Sequence, residues 1–449
     1  MKKTIILSVI VFNLHFTNAQ TIESQSIDEI DSIMQSNYSS NTPGASIIAT
    51  VNGKTLFKKG YGLANLEDSI PNNFSTPFHI GSVTKQFTSV SVLLLHQRGK
   101  LNLDSKISQF YPEYFSKDFP VTVHQLLTHT SGIVDLSKIT EVRSLMSQNV
   151  PPDTIIKFIS KRKLEFEPGT KYKYSNSGYI ILGGIVEKVS GLSYAEFLKE
   201  NIFEPLQMNS SLYPDQSNNS NWAQGYYNRD GRFVNAPVVH PSIFFAAGGI
   251  VSTVEDMAKW NEGLINGKIL KKRYVKLAMT PKSLVDGSKT DYGYGFRTCQ
   301  VNNLKSIEHG GGVFGFSSYG IWIPEKDAYV FLASNFERDN EYDDIVPLVA
   351  SILSENSYLN RSFKDTTSLS KHIGNYTSKT GDKISVRLDD GRLKLNIKDQ
   401  EHDLKYLGNE AFLIEGTLDD RLIFNGNGIN GIVTYKRRRA MGVLYVEEK

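Results

Sequence analysis

The sequence predicts an α/β (α+β) protein in two parts: a helical subdomain packed on an antiparallel sheet flanked by helices, then a small C-terminal β domain. Three observations carry this reading. Strand-like runs meet at Asn52-Gly53 near the start and return at Tyr319 to Ser334, with helical periodicity between them. Beyond Lys383 apolar and polar residues alternate with period two. A succession of strands, many helices and strands again puts helices on a sheet whose strands come from both ends of one domain.

The elements follow in order. Lys2 and Lys3, the apolar stretch Ile5 to Phe12 and the small residues ending at Asn18-Ala19 form an export signal, giving residues 1–19 as a signal peptide cleaved after Ala19. Ile27, Ile30, Ile33 and Met34 have helical spacing within Thr21 to Asn37. Ala45–Val51 and Lys54–Lys58 flank Asn52-Gly53, a two-residue hairpin turn. After Ser82, the run Val83, Phe87, Val90, Leu93, Leu94 predicts an apolar, central helix ending at Gly99. Further helices are predicted at Val123–Leu127, Pro152–Ser160, Tyr179–Val189, Tyr194–Asn201 and Val254–Leu264, and strands at Tyr319–Ile323 and Tyr329–Ser334. The composition changes after Ser357. Residues 20–357 therefore form the first domain, 358–364 a linker, and 365–449 a β domain opened by the hairpin Lys383–Leu388 and Arg392–Lys398.

Composition narrows the function. The 449 residues are 40% apolar and 22% charged, an ordinary globular balance, and 50 basic against 47 acidic side chains leave a formal charge of only +3. No overall field is available to hold nucleic acid. Past the signal there is no uninterrupted apolar run of about 18 residues, so no transmembrane segment is expected. Cys299 is the only cysteine, which excludes an intramolecular disulfide and thiolate zinc clusters. His79, His124, His240 and His372 lack metal-like spacing, and neither His-Glu-x-x-His nor Gly-x-Ser-x-Gly occurs.

Three short islands carry chemistry. Ser82 and Lys85, three apart at a helix start, share a face, and the helix N-terminus offers free N–H groups where an oxyanion forms. Tyr174-Ser175-Asn176 offers a phenol as base and an amide, on one side of an extended segment, to orient Lys85 or a substrate carbonyl. A phenol of pKa about 10 is a poor base, but an ammonium at about 4 Å with an effective dielectric of about 20 is worth roughly 4 kcal/mol, about three pKa units. Lys85 is the cation expected to draw Tyr174 towards neutrality. His309-Gly310-Gly311-Gly312 marks close backbone approach, with the Gly312 N–H opposite that of Ser82 as a two-donor oxyanion hole and His309 as a conditional charge for a substrate carboxylate. Each island alone is also an ordinary helix cap, capped loop or glycine-rich turn, and Ser-x-x-Lys recurs at Ser160–Lys163 and Ser368–Lys371. His129 reads as structural, and Glu167, before Pro168-Gly169, as a turn residue.

Phe78-His79-Ile80-Gly81-Ser82-Val83-Thr84-Lys85-Gln86-Phe87-Thr88, Leu126-Leu127-Thr128-His129-Thr130-Ser131-Gly132, Glu167-Pro168-Gly169 and Tyr174-Ser175-Asn176-Ser177-Gly178-Tyr179 together resemble the serine β-lactamase-related hydrolases. Gly248-Gly249-Ile250 to Trp260 and Tyr292-Gly293-Tyr294-Gly295-Phe296 extend the likeness over about Ile27 to Leu353. The resemblance implies a β-lactamase-like fold, Ser82 as acylated nucleophile, Lys85 as its partner, Tyr174 as general base, and Asn176, His309, Gly311 and Gly312 as substrate and oxyanion contacts. It implies a serine hydrolase with no metal or organic cofactor and a small-molecule or peptide substrate, cell-wall material among the candidates; the signal peptide makes it an exported, periplasmic or secreted, protein. Two alternatives stay open: a class C-like β-lactamase or D-alanyl-D-alanine carboxypeptidase, and a non-catalytic cell-wall binding module. His309 stands where lysine occurs in the related Lys-Thr-Gly motif, and its conditional charge counts against a dedicated β-lactamase and favours an esterase or peptidase; the sequence fixes neither the substrate nor the oligomeric state.

Overall fold

The computed structural model describes residues 26–215, 219–229, 232–337, 342–354, 372–378, 383–389, 392–397, 400–408, 411–414, 420–425, 428–434 and 441–447. The expected signal peptide, the linker 358–364 and the basic run Lys436 to Arg439 lie outside them. Two compact units result, one of Glu23–Tyr342 with Val349–Ser354 and one that includes Asp343–Leu348 and the chain from Glu355 on.

In the larger unit, helix α1 (26–37) is followed by strands β1 (Ala45–Val51) and β2 (Lys54–Tyr61). Their turn has positive φ at both Asn52 and Gly53, the backbone that Asn-Gly favours and that matches the twist of the strands. Helices α2 (Thr84–Gln97), α3 (Pro152–Ser160), α4 (Asn176–Ser190) and α5 (Val254–Ile265) come next. Strands β3 (Arg297–Val301), β4 (Leu304–Val313), β5 (Phe316–Ile323) and β6 (Ala328–Ser334) complete its order, and helix α6 (Tyr342–Ser354), which follows, is divided between the two units.

The six strands form one antiparallel sheet in the order β2-β1-β6-β5-β4-β3. Pairing of β1 with β6, from Ala45↔Ser334 to Val51↔Ala328, joins the two ends of the unit as the sequence predicts. Every residue of β6 is buried, which explains its unbroken apolar run: a strand covered on both faces has no polar side to alternate with. Helix α2 is buried from Thr84 to Leu95. Its three consecutive leucines each contribute about 1.5–3 kcal/mol on burial, and its buried hydroxyls are satisfied, Thr88 with Ala246 O at 2.6 Å and Ser91 with Phe87 O at 2.8 Å.

Two expectations change. The Tyr194 helix ends at Leu198 and continues as a π turn, Lys199–Phe203. Strand β3 is not among the expected elements, and of β4 only an edge at His309 to Gly312 is expected, because three glycines break the alternation from Leu304 to Val313. No helix among the described residues is long and apolar enough to cross a membrane.

The smaller unit contains the small C-terminal β domain, a closed barrel of eight strands from Gly374–Ser378 to Met441–Glu447, the first pairing with the last through Tyr376↔Glu447. Its hairpin holds Val386 opposite Leu395, and Ile384, Val386, Leu393 and Leu395 point into its core as the alternation requires.

Candidate active site

Ser82 lies in the 3-10 turn Gly81–Val83 that leads into α2, partly exposed, while Lys85 one turn on is completely buried. Lys85 Nζ stands 3.0 Å from Ser82 Oγ, 2.9 Å from Asn176 Oδ1 and 2.7 Å from the Ala247 carbonyl. Burial pushes its pKa down to about 7, against an opposing pull from Asp135. The geometry suits both charge states. As an ammonium, Lys85 donates to all three oxygens; as an amine, it keeps the two carbonyl acceptors, which cannot donate, and turns its lone pair to the Ser82 hydroxyl.

Asn176 is the first residue of α4, and its N–H donates to Asp135 Oδ2 at 2.6 Å. This carboxylate at the helix N-terminus places the helix start three residues before the predicted Tyr179. Asn176 thus lies on a helix, not on the expected extended segment, yet its amide reaches Lys85 as anticipated.

Tyr174 packs its ring over Lys85, with Nζ 4.8 Å from the centroid. Its buried hydroxyl meets no partner at full hydrogen-bond geometry among the described residues, although the Ser82 hydroxyl is near enough to act on it. Burial drives its pKa above the ordinary value, opposed by the nearby Ser82 hydroxyl, with Tyr179 and Tyr172 adding to the rise and Arg297 opposing it. The expectation that Lys85 draws this phenol towards neutrality is not met: burial leads the shift upward, and the cation that opposes it is Arg297, while Lys85 is itself shifted by burial towards the neutral amine.

His129 does more than fill space. Its ring lies 4.2 Å from that of Tyr174, its Nδ1 accepts from the Ser175 N–H at 3.1 Å, and its carbonyl accepts from Lys173 N at 2.9 Å. The backbone is thus held on both sides of Tyr174.

The third island closes the site. Two hairpins fix the parity of β4: Leu304 pairs with Val301 across the Asn302-Asn303 turn, and Val313 with Phe316 across Phe314-Gly315. Both leave even-numbered residues with their N–H and C=O pointing away from β5. Pairing to β3 ends at Glu308, so the amides of Gly310 and Gly312 face an open edge, and there the Ser82 turn docks. A methyl added to Gly311 would sit 2.1 Å from Ile80 O and 3.0 Å from Ser82 N, and one on Gly81, at φ +51°, would sit 2.8 Å from Gly312 N. Gly312 itself is exposed.

His309 departs from expectation. It is 3% exposed, and burial, Lys85 and Arg297 push its pKa down to about 3. Its Nδ1–H donates to Gly310 O at 2.6 Å, a partner that can only accept, so Nε2 accepts a hydrogen bond from the Tyr292 hydroxyl at 2.9 Å. A neutral His309 supplies no charge for a carboxylate. The cation in this region is Arg297, in β3 opposite Glu308 and 5.9 Å from the Tyr292 ring centroid. Burial opposes its charge, but Tyr172, Tyr292 and Asp291 more than compensate, and its guanidinium makes no hydrogen bond or ion pair among the described residues. Sequence reasoning missed Arg297, because Arg297-Thr298-Cys299-Gln300 carries no pattern. Asp135, three residues past the Gly132 of a noted island, had a positional hint.

A stability consequence follows. His309 and His129 both have folded-state pKa values below the unfolded value of about 6.5, with burial the leading cause. The stability they contribute is complete above pH 6.5 and is lost as pH falls towards their folded pKa, at up to about 1.4 kcal/mol per pH unit for each. Thermal melts from pH 7 to 4 should show a falling Tm, with a shallower fall in His309→Asn; equal slopes would contradict a neutral buried His309.

A family model described as Beta-lactamase matches residues 26–352. Penicillin-binding protein 4* of Bacillus subtilis (strain 168) is 28% identical over 383 residues, 79% of this chain and 84% of that one. The octameric penicillin-binding protein homologue from Pyrococcus abyssi covers 92% of this chain and 97% of its own, at 29% identity and a TM-score of 0.61. D-amino acid amidase from Ochrobactrum anthropi SV3, complexed with D-phenylalanine, covers 73% of this chain and 98% of its own, at 23% identity and a TM-score of 0.64, a likeness of fold.

Proposed function

The chain belongs to the beta-lactamase family, and on that premise we propose that it is an exported serine hydrolase that forms an acyl-enzyme on Ser82 from an ester or amide. The observation that carries the proposal is the triple contact of Lys85. Two of its partners are fixed carbonyl acceptors, so the neutral amine presents its lone pair to Ser82.

The reaction then runs as follows. Lys85 takes the Ser82 proton as Oγ attacks the substrate carbonyl, and the N–H groups of Ser82 and Gly312 receive the developing oxyanion. Tyr174, kept protonated by burial, is the phenol beside Ser82 and gives its proton to the leaving oxygen or nitrogen; the Lys85 ammonium replaces it. Water deacylates by losing its proton along the same path. Asn176 and Asp135 hold Lys85 and the start of α4, and His129 holds Tyr174. Export rests on residues 1–19 alone and would give a mature chain beginning at Gln20, visible in its intact mass.

A second reading has its own observation. Arg297 is a half-buried cation beside the Tyr292 ring, with no salt bridge among the described residues, whose charge lowers the pKa of both Tyr174 and His309; this favours a leaving group that bears a carboxylate, as in a D-alanyl peptide or a β-lactam. Rates on a short acyl ester, a D-amino acid amide, a D-Ala-D-Ala peptide and nitrocefin separate the readings. Turnover of the ester alone favours an esterase, and turnover of carboxylate-bearing substrates that falls about tenfold or more in Arg297→Gln favours the second reading. Binding of cell-wall fragments with no acylation would sink both in favour of a non-catalytic binder.

A further inference from the structure

Both oxygens of the Asp135 carboxylate are engaged by backbone N–H groups, Oδ2 by Asn176 at 2.6 Å and Oδ1 by Ser137 at 3.0 Å. The group is thereby fixed between the loop that follows Gly132 and the first residue of α4. It has no salt bridge among the described residues, because Lys138 and Lys173 both pair with Glu165, each at 2.7 Å. Through its side chain Asn176 reaches Lys85 Nζ at 2.9 Å, so one residue links the carboxylate to the buried amine. The other groups around Lys85 bring no formal charge. Tyr174 and Tyr179 present their rings at 4.8 and 5.6 Å from Nζ, and burial keeps both phenols protonated. His129 and His309 are held neutral by burial first and by Lys85 second. Arg297, the cation of this region, acts on Tyr174, His129 and His309. A buried amine in neutral surroundings resists taking up a proton. Burial lowers the pKa of Lys85 to about 7 against the pull of Asp135, the carboxylate whose charge acts on it.

We propose that Asp135 is a positioning residue that sets the working pH range of the site: its fixed negative charge keeps Lys85 a strong enough base to accept the Ser82 proton, and its grip on Asn176 keeps the lysine lone pair aimed at that hydroxyl. The inference rests on the reading of Lys85 as the base that takes the Ser82 proton. Removing the charge then has two opposite effects. Lys85 loses its own proton at lower pH, so a larger share of the enzyme is competent in acid. The amine is also a weaker base, and the ammonium formed as Ser82 attacks is less stabilised, so the limiting rate falls. A merely structural loss lowers the whole profile and leaves its midpoint in place.

The test is the pH profile of kcat/KM on p-nitrophenyl acetate, a neutral ester, for wild type, Asp135→Asn, Asp135→Ala and Glu165→Gln, with the hydroxide background subtracted and a thermal melt of each protein. In Asp135→Asn, which keeps one carbonyl acceptor, the midpoint should fall about one unit below the wild-type value near 7. Its kcat/KM at pH 6 should then rise from about one-tenth to about half of its plateau, while the plateau itself falls about three- to tenfold. Asp135→Ala should show the same midpoint with a plateau about tenfold lower again, because no side chain then holds the Asn176 N–H. Glu165→Gln removes a partly exposed carboxylate already paired with two lysines and should leave the midpoint within about 0.2 unit. A midpoint unmoved in both Asp135 variants, or moved equally in Glu165→Gln, overturns the assignment to Asp135, while a wild-type midpoint near 7 keeps Lys85 as the base. A wild-type profile with no rise through neutral pH overturns both.

Discussion

Alanine at Ser82, alanine at Lys85 and alanine at both are expected to leave the same residual rate, about 10⁴–10⁶-fold below wild type, because groups that act as one unit lose their whole effect when either is removed. The reason is the short path between them: Lys85 Nζ lies 3.0 Å from Ser82 Oγ, with Asn176 and Ala247 fixing its other two directions. The pH dependence sharpens the point. Lys85 has a pKa brought down to about 7 by burial, and only its neutral form accepts a proton. On a neutral ester, kcat/KM should rise with pH through a midpoint near 7 and reach a plateau above it, after the hydroxide background is subtracted. Lys85→Arg, which keeps the charge and cannot lose it near neutrality, should be as inactive as Lys85→Ala. Independent losses that add in the double variant would mean that the two residues do not form one proton-transfer unit.

Gly311→Ala should lower kcat/KM by about 10²–10³ with KM changed far less, although Gly311 contributes no group to the chemistry. Its new methyl would meet Ile80 O at 2.1 Å and Ser82 N at 3.0 Å, and both are backbone atoms that cannot rotate aside. Either β4 or the Ser82 turn must move, and the two oxyanion donors separate. A shift of about 1 Å at reacting groups is worth about 10²-fold, and loss of one oxyanion donor about 10²–10³-fold. Steady-state kinetics with a parallel thermal melt checks this. A variant with wild-type kcat would show that the Gly312 N–H does not hold the oxyanion.

These expectations depend unequally on what the sequence makes visible. Local signals survive translation into structure: Asn52-Gly53 turns as that dipeptide does, Pro152 starts a helix that ends at Ser160, and the alternation after Lys383 becomes the inward face of a barrel. The spacing of Ser82 and Lys85 on one turn was enough to bring their side chains into contact, and Asn176 joined them. What depends on tertiary burial was not legible. The phenol of Tyr174 and the imidazole of His309 each move opposite to, or far beyond, the direction that their sequence neighbours suggest, because dehydration outweighs the charges nearby. Arg297 enters the site through the cross-strand register of β3 and β4, Arg297↔Glu308, which no local pattern encodes. The glycines of β4 mark the edge that the Ser82 turn reaches, but they hide the length of the strand, which runs from Leu304 to Val313.

The central claim is that Ser82 becomes acylated, and intact-protein mass spectrometry with peptide mapping after a brief incubation with p-nitrophenyl phenylacetate and acid quench tests it most directly. The expected result is a single added phenylacetyl group on Ser82, formed faster at pH 8 than at pH 6 and absent from Ser82→Ala. An adduct on another residue, or turnover in Ser82→Ala equal to wild type, would contradict it.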